Sequence, residues 1–245
     1  MTYHVKYSTA NGAKCKSEVQ KMKLQFLGHS AFRIVANSGA VIIIDPYLDN
    51  NPLAPVKSSE INADYIILTH AHGDHCADAF KIAKMGHTVF ICVSELANYI
   101  SKKGYKTHAM QIGGAFEFPF GLVKLVQALH GSMTPDGLYA GLAAGVVMNI
   151  DGQCIYHCGD TGLFGDMKLI GEMHKVDYLL VPIGGNYTMD ISDAAQAVKM
   201  IQPRCAIPMH YNTFEIIKAD PQVFQSRLAE LGYQAIILAP GDSLE

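Results

Sequence analysis

The stretch IILTHAHGDH, residues 66–75, joins an apolar segment of β character to three histidines and one aspartate. Side chains at positions i and i+2 of an extended segment point the same way, so we expect His70 and His72 to reach one metal ion from a strand end. Asp74 and His75 follow at the turn into a helix and point elsewhere, which indicates a second ion. Imidazole and carboxylate ligands suit zinc, and also iron or manganese. A solvated polar loop is the alternative, but it accounts poorly for this density of metal-binding side chains.

Similar settings recur further along the chain, where apolar segments end in metal-binding side chains. His130 follows one such segment and His210 follows another, so each is a candidate ligand. Asp160 lies in the sequence CGDTG, residues 158–162. Its flanking glycines let the backbone pass close to a metal, and its two carboxylate oxygens are able to bridge two ions.

These residues carry a resemblance to a known family. The pattern His-x-His-x-Asp-His after a hydrophobic strand resembles the signature of the metallo-β-lactamase superfamily, whose members are mostly binuclear metal hydrolases. Over residues 23–245 the resemblance implies a four-layer αββα sandwich, whereas composition alone indicates only a mixed α/β domain. It also implies a ligand set: His70, His72 and His130 for the first ion, Asp74, His75 and His210 for the second, and Asp160 between the two ions.

Three further stretches narrow the resemblance to a subgroup. LGHSAF at 27–32, GGNYTM at 184–189 and PMHYNTF at 208–214 resemble UPF0173-type metal-dependent hydrolases related to ascorbate-6-phosphate lactonase. The subgroup implies that His29 lies near the metal pocket; a structural histidine at a strand corner is the alternative. Asp45 is interpreted either as a partner that orients a ligating histidine or as a turn initiator before proline. Asn186 and Tyr187 offer donors for a developing oxyanion, unless they form only a tight turn.

Composition and charge exclude several classes of function. The 245-residue chain is 49% hydrophobic, and we predict a single hydrolase domain over residues 1–245 with residues 1–22 as a peripheral arm. A net charge of -3 with scattered Lys and Arg argues against nucleic-acid partners. No signal peptide or long apolar span is visible and the six cysteines form no C-x-x-C pair, so we expect a reduced, cytoplasmic protein without membrane contact. A small-molecule substrate fits this picture, and a homo-oligomer is compatible with it.

Local patterns also predict where several elements begin and end. Helical spacing covers residues 163–174, and a hairpin turn is expected at Asp151-Gly152. Ser94 and Ser192 are predicted to cap helices. Residues 234–238 are predicted to form the final strand.

The ligand set predicts a hydrolytic reaction at two divalent metal ions, most readily Zn²⁺, with Mn²⁺ or Fe²⁺ as alternatives. Metal binding lowers the pKa of water, so that hydroxide attacks an ester-like bond, namely a carboxylic ester or lactone, including one on a phosphorylated small molecule. Asp74 is expected to orient the nucleophile, and His29 or Tyr187 to assist the leaving group or oxyanion. A phosphodiesterase on the same site is the first alternative. An iron-dependent oxidoreductase and a non-catalytic metal-binding scaffold are alternatives of other classes.

Overall fold

The computed structural model describes residues 22–245, so the predicted peripheral arm lies outside the described residues except for Met22. Two β-sheets face each other, and their inner surfaces form one continuous apolar core. The order in the first sheet is β13-β1-β2-β3-β4-β5-β6. Its strands are β1 (Lys23–Phe26), β2 (Phe32–Val35), β3 (Val41–Ile44), β4 (Tyr65–Ile67), β5 (Val89–Val93), β6 (Lys106–Met110) and β13 (Ser243–Leu244).

The second sheet has six strands in the order β12-β11-β10-β9-β8-β7. They are β7 (Ala115–Phe118), β8 (Gly121–Gln127), β9 (Ala144–Ile150), β10 (Gln153–His157), β11 (Tyr178–Pro182) and β12 (Cys205–Met209). β11 and β12 are parallel and buried at every position, as expected for strands covered on both faces. β9 and β10 form the antiparallel hairpin predicted at Asp151-Gly152, where both turn residues have positive φ.

Helices cover the outer faces of the two sheets. They are α1 (Gly73–Cys76), α2 (Ala79–Ile82), α3 (Ser94–Ser101), α4 (Met167–Met173), α5 (Ile191–Ile201) and α6 (Pro221–Glu230). α3 packs on β5 and β6, while α5 packs on β11 and lies between α4 and α6. This arrangement confirms the predicted four-layer αββα sandwich. Within residues 22–245, no helix is long and apolar enough to cross a membrane.

Strand register brings the ends of several strands to one rim of the sandwich. β3 and β4 run parallel with Ile44 opposite Ile67, so Asp45 emerges beside the segment that follows β4. β11 and β12 also run parallel, with Pro182 opposite Met209, and His210 therefore leaves the second sheet at the corresponding edge. Side chains that follow these strands thus lie close together although they are far apart in sequence.

Several predicted boundaries were wrong. Residues 234–238 form only one isolated bridge, between Ala235 and Ala206, and the turn that follows carries the chain across to pair with β1 in the other sheet. The helix predicted over residues 163–174 begins at Met167, after a turn.

Both predicted serine caps were also wrong. Ser94 is the first residue of α3, and its hydroxyl donates to the carbonyl of Met110 instead. The cap of α5 is Asp190, whose carboxylate accepts from the Asp193 backbone N–H at 2.9 Å. A carboxylate also interacts favourably with the positive end of the helix dipole, which favours Asp190 over Ser192.

Gly171 allows α4 to approach α5 closely. A Cβ at this position would lie 2.6 Å from the Cα of Ile201 and closer still to its carbonyl oxygen, so the two backbones would have to separate. We predict that Gly171→Ala lowers the free energy of unfolding by about 1–3 kcal/mol, measured by urea denaturation. Gly165→Ala is the control, because a Cβ there meets nothing within 4 Å. Equal stability of the two variants would contradict the predicted close contact.

Candidate metal centre

The first group of candidate ligands lies at the end of β4 and in the segment after β8. His70 is fully buried, and its Nε2 lies 3.0 Å from Nδ1 of His72. His130 approaches from the other sheet, with its Nε2 3.3 Å from the same His72 nitrogen. These three nitrogens all lie within 4.8 Å of one another. The structure therefore brings together the residues that the sequence analysis assigned to the first ion.

The second group forms around α1 and the residue after β12. Asp74 and His75 lie within α1, and His210 reaches them from the second sheet, with its Nε2 3.9 Å from Oδ2 of Asp74. His29 also belongs to this group, because its Nε2 lies 3.2 Å from the same carboxylate oxygen. One potential ligand atom from each of the four residues lies within 4.8 Å of the others.

Asp160 lies between the two groups. Its Oδ2 is 3.1 Å from His210 Nε2 and 3.2 Å from His75 Nε2. The same oxygen lies 3.6 Å from His130 Nε2 and 4.0 Å from His70 Nε2. Burial alone would raise the pKa of Asp160, but His75 and His210 outweigh it and hold the pKa well below its usual value. One oxygen of a buried, ionised carboxylate thus faces a histidine from each part of the site.

Gly159 permits this position of Asp160. It has a φ of +64°, and a Cβ would lie 2.6 Å from the carbonyl oxygen of Ala144. Its N–H donates to Nδ1 of His157 at 3.1 Å, while Nε2 of His157 lies 3.0 Å from the carbonyl oxygen of Ser30. His157 is therefore a buried structural residue that links the two sheets below the site.

The donor atoms of the site fit metal ions. His75 Nε2, Asp160 Oδ1 and both ring nitrogens of His210 are buried and have no hydrogen-bond partner. His75 Nε2 is near Asp160 Oδ2, but its orientation is unsuited to a hydrogen bond. A buried polar atom without a hydrogen-bond partner destabilises the folded protein by about 1–3 kcal/mol, so several such atoms in one place indicate a ligand-binding site. Imidazole nitrogens and carboxylate oxygens are ligands for zinc, iron and manganese.

Asp45 and Thr69 orient histidines in both groups. Oδ2 of Asp45 lies 2.8 Å from Nδ1 of His75, which leaves His75 Nε2 directed into the site. The hydroxyl of Thr69 donates to the same Asp45 oxygen and lies 3.0 Å from Nδ1 of His70. Orienting a ligating histidine was one of the two interpretations of Asp45 made from the sequence, whereas Thr69 was not identified. The sequence feature that could have identified Thr69 is a hydroxyl at the end of an apolar strand, directly before the first histidine of the motif.

His29 contacts Asp74 and has a defined tautomer. Burial lowers the pKa of His29 to about 4, so its ring is neutral at neutral pH. Burial alone would raise the pKa of Asp74, but His29 and His75 outweigh it, so Asp74 is ionised and only accepts hydrogen bonds. His29 therefore donates through Nε2, and its Nδ1 lies 2.9 Å from the hydroxyl oxygen of Thr213.

A cavity of about 450 Å³ opens above the candidate ligands. Three side chains form its wall: Tyr187, Phe214 and Ile216. Tyr47 packs behind Phe214, with ring centroids 6.2 Å apart. Tyr187 was a candidate from the sequence, but Phe214 and Ile216 were not, because apolar residues in so short a segment carry no periodic signal. The polar floor is formed by His72, Asp74, His130, Asp160 and His210.

Backbone strain is concentrated at this site. Seven described non-glycine residues have positive φ, and five of them lie in or beside the site: His29, Asp45, Asn186, His210 and Asn212. Left-handed conformations are unfavourable for residues with a Cβ and persist where surrounding contacts enforce them. At His210 the backbone N–H donates to the carbonyl oxygen of His29 at 2.8 Å, which helps to hold its orientation.

Comparisons with known proteins agree with this architecture. A family model described as beta-lactamase superfamily domain matches residues 23–210. A UPF0173 metal-dependent hydrolase from Carboxydothermus hydrogenoformans is 47% identical over 90% of this chain and 98% of its own length. A relative with the same description from Anoxybacillus flavithermus is 45% identical over 91% of this chain and 100% of its own length.

A solved structure shows the same fold. Igni18, a metallo hydrolase from Ignicoccus hospitalis, is 36% identical with a TM-score of 0.83, covering 91% of this chain and 97% of that chain. The resemblance of the sequence motifs to the β-lactamase superfamily and to UPF0173 metal-dependent hydrolases is therefore confirmed. The buried histidines and aspartates also form a cluster that is able to bind metal. This chain belongs to the β-lactamase superfamily and, within it, to the UPF0173 metal-dependent hydrolases.

Proposed function

We propose that the site binds two divalent ions and hydrolyses a carboxylic ester or lactone of a small molecule. The observation that carries the proposal is the position of Asp160 Oδ2, which lies between Nε2 atoms of His130 and His70 on one side and of His75 and His210 on the other. His70, His72 and His130 would hold the first ion and Asp74, His75 and His210 the second, with Asp160 shared.

Zinc is the ion that this donor set favours, because five imidazoles and two carboxylates match its usual ligands. Manganese and iron bind the same donor types. When bound, two such ions would supply Lewis acidity that lowers the pKa of water from about 15.7 to about 7, making hydroxide available at neutral pH.

The five described cysteines are free and buried, which supports our inference of a reduced, cytoplasmic protein.

The residues of the chain have separate roles in this proposal. Asp74, oriented by the N–H of His29, positions the attacking water. Tyr187 is 56% exposed and lines the cavity, so its hydroxyl is available to donate to the carbonyl oxygen as negative charge develops there. Asp45 and Thr69 hold His75 and His70 in the orientation that leaves Nε2 free.

The first test combines metal content with activity. We expect purified protein to contain about two equivalents of zinc by plasma mass spectrometry, and chelator-sensitive hydrolysis of p-nitrophenyl esters or lactones. We expect Asp160→Ala to lower the metal content and reduce kcat/KM by more than about 100-fold, because loss of even an indirect partner of a metal ligand costs about 10–100-fold. Asp166→Ala is the control, since this exposed carboxylate makes no cap hydrogen bond in α4.

Full activity of Asp160→Ala with two bound metals would overturn the bridging role. Faster hydrolysis of bis-p-nitrophenyl phosphate than of any ester or lactone would replace the proposed reaction with phosphodiester hydrolysis. Bound iron with oxygen uptake would indicate an oxidoreductase, and bound metal without turnover would indicate a non-catalytic scaffold.

Thr69 offers a test of the histidine orientation. Thr69→Val removes the hydroxyl between Asp45 and Nδ1 of His70, so we expect metal affinity or kcat to fall about 10–100-fold. Thr107→Val on the edge strand β6 is the control and should leave both unchanged. Metal titration and steady-state kinetics measure the two effects. Unchanged affinity and rate in Thr69→Val would exclude this role.

His29 offers a test of the orientation of Asp74. We expect His29→Ala to retain its metal and lose about 10–100-fold in kcat, because Asp74 loses the donor that positions it. His87→Ala is a matched control, since His87 also pairs with an aspartate, at 2.8 Å, but on the surface. Loss of metal from His29→Ala would instead identify His29 as a ligand.

A further inference from the structure

The segments around the cavity contain no lysine or arginine. The residues that line the cavity, and Tyr47 behind them, belong to six described segments: 45–56, 69–76, 129–142, 158–166, 183–190 and 210–217. No lysine or arginine occurs in any of these six segments, although the whole chain has 19. They do contain carboxylates, namely Asp45, Asp49, Asp74, Asp136, Asp160, Asp166, Asp190 and Glu215. These segments therefore contain eight carboxylates and no lysine or arginine.

The two lysines that directly follow these segments interact with other groups of the protein. Lys218 follows the last of these segments, and its Nζ lies 2.7 Å from a carboxylate oxygen of Glu215. Lys57 follows the first segment and donates to the backbone carbonyl of Asp49 at 3.0 Å. Proteins recognise phosphate and carboxylate groups with arginine, lysine or convergent N–H donors. This rim offers no such side chain to an anionic group outside the reacting centre.

The wall of the cavity is instead apolar and partly aromatic. Ile216 is 56% exposed and Tyr187 is exposed to the same extent, although both line the cavity. Phe214 is half-buried, and its ring is 5.5 Å from that of His29. A substrate group that covers these side chains removes apolar surface from water, and this burial favours binding.

We infer that the substrate carries an uncharged alkyl or aryl group beside its scissile ester or lactone bond, and that Ile216 and Phe214 bind this group. The inference rests on the proposed hydrolysis of a carboxylic ester or lactone. It narrows that proposal, because it selects apolar esters and lactones and excludes those with a peripheral phosphate or carboxylate. The metal ions would face the reacting carbonyl on the floor of the cavity, so the apolar group would lie against the wall.

A matched series of p-nitrophenyl esters tests this inference. The leaving group is the same in p-nitrophenyl acetate, p-nitrophenyl hexanoate and the mono-p-nitrophenyl ester of adipic acid. In the adipate ester a carboxylate replaces the terminal methyl group of the hexanoyl chain. On metal-loaded protein we expect kcat/KM for hexanoate to exceed both other values by at least about tenfold, since a single methylene in an apolar pocket contributes about that factor. Equal or faster hydrolysis of the adipate ester would overturn the inference.

A charged substitution on the wall identifies the residue responsible. We expect Ile216→Lys to reduce the preference for hexanoate over the adipate ester by at least about tenfold, because the new ammonium group attracts the terminal carboxylate. Val223→Lys is the matched control: this side chain is also exposed, lies on α6 and does not line the cavity. It should leave the preference unchanged. The same change in both variants would show a general effect of charge and remove Ile216 from the proposed subsite.

The outcomes separate this inference from the proposed function. Hydrolysis of all three esters without the expected preference overturns only the apolar subsite. Absence of hydrolysis of every ester and lactone by metal-loaded protein overturns the proposed reaction, and the inference with it. Preference for 6-phosphogluconolactone over an uncharged alkyl lactone of the same ring size would retain the hydrolytic reaction and reverse the predicted substrate class.

Discussion

The buried carboxylate of Asp160 is the constraint on which the rest of the site depends. An ionised carboxylate removed from water is unfavourable unless positive charge or hydrogen-bond donors surround it. Here histidines from both sheets supply those neighbours, and they reach Asp160 only because the two sheets face each other with their strand ends at one rim. The sandwich and the cluster are therefore interdependent. A change in the spacing of the sheets would separate Asp160 from half of its partners.

Hydrogen bonds behind the histidine rings fix their orientation. The parallel register of β3 and β4 sets Asp45 beside Thr69, and these two side chains fix the rings of His75 and His70. One carboxylate thus orients a histidine in each ligand group. The left-handed backbone at Asp45 and His210 shows that the local conformation is imposed by these contacts rather than by intrinsic preference.

The cluster could be predicted from the sequence because several candidate ligands follow apolar segments directly. The apolar segment before His70 and the dense motif that begins there place several of these ligands at one strand end. The sandwich itself was predicted from the resemblance, since composition indicates only a mixed α/β domain. Thr69 could not be assigned in advance, since its partner Asp45 is fixed only by the pairing of β3 with β4. The wall residues Phe214 and Ile216 were missed because a loop has no periodicity to indicate which side chains face a cavity. The final strand was misplaced because its pairing depends on a turn that crosses between sheets.

The candidate metal ligands and the wall residues occupy different kinds of positions in the fold. The candidate ligands follow strand ends or lie in α1, and most of them are buried. Ile216, by contrast, is an exposed residue in a single 3-10 turn, Glu215–Ile217. We expect substitutions there to leave the buried cluster and the sheets intact, because the Ile216 side chain is exposed. Substrate specificity is thus able to change through a few exposed side chains without loss of the residues that would hold the metal ions.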